Sequence, residues 1–120
     1  MTCYNVSVSF ETRPWGNYTV LQEGENYQVK RLVINPGKRI SLQSHQFRAE
    51  HWFIVSGAGI AEVDGVATTV KPGDSVDIPV GLKHRISCSD IVPLTFIEVQ
   101  TGTSFSETDI TRFEDDFGRS

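Results

Sequence analysis

The chain has three histidines, and two of them fall in one short run, SLQSHQFRAEHW, residues 41–52. The same run holds Gln43, Arg48 and Glu50, so an amide, two imidazoles, a guanidinium and a carboxylate are crowded together. The third histidine, His84, follows a Pro79-Val80-Gly81 turn far downstream. Read as strand residues, Gln43 and His45 leave the same face, because side chains alternate with period two. Glu50 lies at an odd spacing from His45 and would leave the opposite face of a straight strand. The chain must therefore turn near Gln46–Arg48 if Gln43, His45 and Glu50 are to meet. With His84 they form a mixed nitrogen and oxygen set that suits zinc or another first-row divalent ion. Calcium is a poor fit, because it wants more oxygens. The plainer reading of each residue is polar decoration of a strand, with hydrogen bonding as its only role.

The elements that must position these residues read as strands. Tyr27–Ile34 alternates and is stopped by Asn35-Pro36-Gly37. Trp52–Val55 (WFIV) is wholly apolar, as expected for a strand covered on both faces. Gly59–Val63 and Val66–Val70 flank Asp64-Gly65, the sequence of a type I′ hairpin turn. Ser75–Ile78, His84–Ser89 and Leu94–Gln100 complete the set, with Lys71-Pro72-Gly73-Asp74 as a further turn. Many short strands at regular turn spacing predict a small all-β sandwich or barrel. Thr12–Tyr18 reads as an irregular lead-in with an aromatic anchor. Thr108–Phe113 reads as a short helical turn or a strand, and Glu114–Ser120 as a polar tail. Trp15, Tyr18 and Trp52 are candidates for stacking on a sugar, although Trp52, opening an apolar run, is better placed for the core.

Bulk properties narrow the function. The length of 120 residues predicts one domain, residues 1–120, and 38% hydrophobic residues are enough for one core. A formal net charge of −4 without a basic block argues against nucleic acid as a partner. An anionic ligand must then be met by a few placed cations. No apolar run approaches the ~20 residues of a membrane helix, and no signal peptide precedes Cys3. Cys3 and Cys88 form no C-x-x-C pair, so a cytoplasmic protein with free thiols is expected, Cys88 being a small buried or half-buried side chain.

The stretch Gly37-x5-Gln43-x-His45-x4-Glu50-x6-Gly57 resembles the first cupin motif, with Gln43 where His is commoner. Gly73-x5-Pro79-x-Gly81-x2-His84 resembles the second, with Cys88 where Asn is usual. The Gln-His-Glu-His combination is similar to the metal site of phosphomannose isomerases. Arg13-Pro14-Trp15-Gly16, Tyr27–Leu32, Arg48–Trp52 and Ile97–Gly102 all resemble the carboxy-terminal isomerase domain of the type II enzymes, over residues 13–119. The resemblance implies an all-β cupin barrel (a double-stranded β-helix, or jelly roll). It implies one divalent ion, zinc first and Co, Mn, Ni or Fe as alternatives, on Gln43, His45, Glu50 and His84. The family's usual nucleotidyltransferase half is not in the sequence, so that activity is expected to be absent. The family's His-His-His-Arg run appears here as His45-Gln46-Phe47-Arg48, which keeps the ligand and loses its neighbours.

The implied reaction interconverts mannose 6-phosphate and fructose 6-phosphate. Such an isomerisation needs a polarising ion, a base that takes and returns a proton, and cations for the phosphate. By resemblance to type I isomerases, Arg48 and Arg112 are the expected substrate cations and Glu98 the base. Lys30 is a further cation expected to face the cavity, and His51 is a weaker base candidate because it alternates away from Glu50. Two rivals stay open: a metal-dependent cupin of another class, such as a dioxygenase or epimerase, and a non-catalytic sugar- or metal-binding module. A homodimer paired through outer strands such as WFIV is expected.

Overall fold

The computed structural model describes residues 9–119. In chain order the strands are β1 (Ser9–Arg13), β2 (Gly16–Glu23), β3 (Tyr27–Ile34), β4 (Leu42–Ser44), β5 (Arg48–Ser56) and β6 (Gly59–Val63). They continue with β7 (Val66–Val70), β8 (Ser75–Ile78), β9 (His84–Cys88), β10 (Leu94–Gly102) and β11 (Thr111–Glu114), and no helix occurs among the described residues. Two antiparallel sheets result, ordered β1-β2-β3-β10-β5-β8 and β11-β4-β9-β6-β7. One buried cluster joins them, with Ile34, Trp52, Ile54, Leu94 and Phe96 from the first sheet against Ala61, Val70, Ile86 and Cys88 from the second. Asp64 and Gly65 both have positive φ, +51° and +81°, as the type I′ turn between β6 and β7 requires.

The register explains where the site lies. On β3 the inward residues run Gln28, Lys30, Leu32, Ile34; on β5 they run Arg48, Glu50, Trp52, Ile54; on β10 they run Leu94, Phe96, Glu98, Gln100. Each strand thus has a polar half and an apolar half on one face. Pairing mostly aligns like with like: Gln100 lies across from Glu50 and Gln28, Phe96 across from Leu32 and Ile54, and Glu98 across from Lys30 on one side and from Trp52, at the border of the two halves, on the other. The apolar halves build the core, and the polar halves line one end of the interior.

Four expectations need correcting or sharpening. The lead-in Thr12–Tyr18 is an ordered hairpin, in which Pro14 and Trp15 turn β1 into β2. Gly16 follows the turn because a Cβ there would stand 1.9 Å from the Val33 carbonyl oxygen. WFIV is covered on one face only: Trp52 and Ile54 are fully buried, whereas Phe53 and Val55 are 45% and 47% exposed. Strand alternation, not run composition, sets their burial. Thr108–Phe113 resolves into a loop followed by β11. The tail is not loose polar chain: Asp115 accepts from the Arg119 guanidinium at 2.8 and 3.1 Å, and Phe117 packs against the core. Cys88 is a buried free thiol, as expected, while Cys3 lies outside the described residues. No helix among the described residues is long and apolar enough to cross a membrane.

Candidate functional site

The turn required by the odd spacing of His45 and Glu50 is present. β4 ends at Ser44, β5 begins at Arg48, and His45 sits in the connection. Two contacts fix it there: the Gly81 amide donates to the His45 carbonyl at 2.9 Å, and the Asp109 carboxylate accepts from the Gln46 and Phe47 amides. The Gly81 bond also ties the turn before His84 to the turn after β4, so the two histidine-bearing segments are positioned together.

One ligand atom each from His45, Glu50 and His84 lies within 4.8 Å of the others, and all three residues are buried. His45 Nε2 is 3.2 Å from Glu50 Oε2, and His84 Nε2 is 3.5 Å from Glu50 Oε1. The opposite ring nitrogens face carbonyl oxygens, His45 Nδ1 that of Asp109 at 2.6 Å and His84 Nδ1 that of Leu82 at 3.0 Å. A carbonyl oxygen only accepts, so both protons sit on Nδ1 and a neutral ring presents a bare Nε2. Two lone pairs then face a carboxylate, and the arrangement repels itself unless a cation stands between them. Burial, against the opposing pull of Glu50, lowers the His84 pKa, so a proton is a poor candidate for that cation. His84 Nε2 is moreover a buried polar atom without a hydrogen-bond partner. The donor set fits a divalent metal by geometry and by this unmet need.

Gln43 is brought alongside but is turned aside. It is the cross-strand partner of both His84 and Arg112. Its amide nitrogen donates to the Ser41 hydroxyl at 2.9 Å, which leaves the oxygen as the end available to an ion.

A second carboxyl completes the centre. The Trp52 indole N–H donates to Glu50 Oε1 at 3.2 Å and to Glu98 Oε1 at 3.0 Å, and Gln100 Nε2 donates to Glu98 Oε2 at 3.0 Å. Burial, then the Glu50 charge and the hydrogen bond shared with it, holds the Glu98 carboxyl well above the usual carboxylate range, against Lys30 and Trp52. Burial would raise Glu50 too, but positive charge at the two imidazoles and the Glu98 bond outweigh burial and hold it well below that range; with both rings neutral, a cation between them must supply that charge. The pair therefore carries one charge, on Glu50, and one proton, on Glu98. Two neighbouring carboxyls with pKa values pushed apart are equipped for one to bind and the other to carry protons.

Glu50, Glu98 and Gln100 open onto a cleft that Arg48, Arg112 and Gln43 also line. Arg48 is 5% exposed and committed on two sides, with Nη1 donating to the Ser106 carbonyl at 2.9 Å and Nε 3.5 Å from Glu50 Oε2. Lys30 is equally buried and pairs with Glu107 at 2.9 Å. His51 points outward and pairs with Asp77, away from the centre. Trp15 and Tyr18 line the cavity, whereas Trp52 belongs to core and centre at once, its ring 5.7 Å from that of His84.

Sequence reasoning missed Gln28, Gln100, Glu107 and Asp109. The first two were legible: strict alternation in β3 and β10 points them inward with Lys30 and Glu98. Both keep a buried side-chain oxygen without a hydrogen-bond partner, as expected of groups that wait for a ligand. Glu107 and Asp109 lie in a segment without periodicity, and nothing in the sequence marked them.

Two antiparallel sheets closed around buried histidine and carboxylate donors define a cupin, and solved structures agree. The capsular polysaccharide assembling protein CapF from Staphylococcus aureus superposes with a TM-score of 0.79 at 21% identity, over 89% of this chain and 34% of that one. An RmlC-like cupin from Shewanella frigidimarina gives 0.73 at 16%, over 88% and 93%. At such identity these speak for the fold alone. Residues 6–115 match the family described as mannose-6-phosphate isomerase C-terminal, and the chain belongs to that family. It is 41% identical over 107 residues to the mannose-1-phosphate guanylyltransferase ManC of Salmonella typhimurium, covering 89% of this chain and 22% of that protein. The alginate biosynthesis protein AlgA of Pseudomonas aeruginosa is 42% identical over 107 residues, again 89% and 22%. The chain thus spans about a fifth of the length of these relatives.

Proposed function

We propose that the chain is a divalent-metal-dependent aldose–ketose isomerase that interconverts mannose 6-phosphate and fructose 6-phosphate. The observation that carries this reading is the convergence of two bare imidazole nitrogens and an ionised Glu50 beside a protonated Glu98. Membership of the isomerase family supplies the substrate class. His45, Glu50 and His84 hold the ion, with the Gln43 oxygen as a fourth donor. Zinc leads on donor type, with Co, Mn, Ni and Fe as alternatives. When bound, the ion polarises the carbonyl and neighbouring hydroxyl oxygens of the sugar.

The protein's own groups do the rest. Glu98, ionised in the competent state, takes the proton from C2 of the open-chain aldose and returns it to C1, while the hydroxyl proton passes from O2 to O1. Trp52 and Gln100 fix the direction of the Glu98 carboxyl. The unpartnered oxygens of Gln28 and Gln100 accept from sugar hydroxyls. Arg48, Arg112 and Lys30 supply the positive charge for the phosphate, and Arg48 also steadies Glu50. The test is a coupled assay for fructose 6-phosphate formed from mannose 6-phosphate, with each of the five metals added in turn. Turnover with at least one is expected, and none with any metal would overturn the reading.

We further propose that two copies pair through the outer face of the six-stranded sheet. Phe53 and Val55 are exposed there, and Phe53 lies across from Ile97 on β10. Light scattering should give twice the mass of the chain, and Phe53→Glu should halve it. A monomeric wild-type protein would refute the pairing.

A further inference from the structure

Residues 103–110, between β10 and β11, run along the rim of the cavity. From there the half-exposed Glu107 side chain reaches down to the buried Lys30, Oε2 to Nζ 2.9 Å. The ammonium stands 4.4 Å from the centre of the Tyr18 ring. The Arg13 guanidinium lies 5.0 Å from the same ring and donates to the Tyr18 hydroxyl at 3.2 Å. Burial pushes the Glu107 carboxyl up, yet Lys30, Arg48 and Arg13 together hold it below its ordinary value. A single carboxylate therefore sits among the cations that the isomerase reading reserves for the phosphate of the substrate.

Resting on that reading, we infer that Glu107 is an exchangeable counter-ion, whose carboxylate occupies the place on Lys30 that the substrate's phosphate takes. A phosphate monoester carries nearly two charges and three acceptor oxygens, against one charge and two oxygens on Glu107. It can displace the carboxylate, and an uncharged hexose cannot. Glu107 thereby determines specificity: it keeps Lys30 neutralised and unavailable until an anion of higher charge arrives.

Inorganic phosphate is the probe, titrated calorimetrically into the full chain, with thermal unfolding as the check on folding. Glu107→Gln removes the competing charge and should tighten phosphate about tenfold, since a like charge a few ångströms away is removed. The gain should vanish in the double variant Lys30→Gln/Glu107→Gln. Unchanged or weaker phosphate binding by Glu107→Gln overturns the inference and makes Glu107 a permanent partner of Lys30. Should that variant not fold, Glu107→Asp, which withdraws the carboxylate by one methylene, should tighten phosphate about threefold; no change overturns the inference equally. The titration needs no turnover. Tighter phosphate without isomerase activity would keep the exchange and sink the isomerase, and turnover with unaltered phosphate affinity would do the reverse.

Discussion

His84→Ala should abolish metal binding and turnover together. Wild-type protein dialysed against a divalent ion should retain one per chain, and the variant essentially none. Loss of a polarising ion forfeits several kcal/mol of transition-state stabilisation, so kcat/KM should fall by at least ~10³. Stability separates this from simple unfolding. Metal binds the native state only, so it should raise the wild-type melting temperature and leave that of His84→Ala unmoved. The apo variant should keep a cooperative transition at some cost in stability: it loses the Nδ1–H bond to Leu82 and the ring's packing on Trp52, but also the Nε2 lone pair that faces Glu50. Full turnover, or unchanged metal affinity, would show that the site lies elsewhere.

Glu98→Gln should leave the metal in place and stop the chemistry. A proton carrier contributes about 10²–10⁴ in rate, so kcat should fall by that factor while KM changes little. Gln is shaped like the protonated acid: its amide nitrogen can donate to Glu50 and its oxygen can accept from Trp52. Gln100 then turns its amide over and presents its Nε2 in place of its oxygen, which a sugar hydroxyl can meet by accepting instead of donating. The pH profile carries a sign. Glu98 must be ionised to act as base, so activity rises with pH through its raised pKa and the acid limb lies above the usual carboxylate range. A bound cation offsets the charge on Glu50 and removes that part of the rise, while burial remains. The limb therefore belongs to the Glu50–Glu98 pair and shifts down in the metal-loaded enzyme. It should vanish in Glu98→Gln; an unaltered limb and rate would exclude Glu98 as base.

Much of this centre was legible in the chain. The odd spacing between His45 and Glu50 demanded a turn, and the turn is where it was expected. Hairpin chemistry placed β6 and β7 to the residue. Run composition misled at WFIV, because four apolar residues in a strand say nothing about whether the outer face has a cover. What stayed unreadable was the loop before β11. It acts largely through backbone carbonyls, that of Asp109 on His45 and that of Ser106 on Arg48, and every residue type has a carbonyl. Glu107 was hidden for a related reason: a carboxylate in a polar loop looks the same whether it faces water or a buried lysine.

The division of β3, β5 and β10 into polar and apolar halves has a consequence for how the barrel finds its pairing. A slip by one residue is forbidden in any half-buried sheet, because it turns the wrong face inward. A slip by two keeps the faces and normally meets only imperfect packing. Here it would carry Glu98 or Lys30 in among Phe96, Leu32 and Ile54, and burying a charged or polar group without its partners is far costlier than a misfit methyl. The residues that form the centre thus also act as a register lock, and the chain cannot close into a barrel at full stability without assembling them opposite one another.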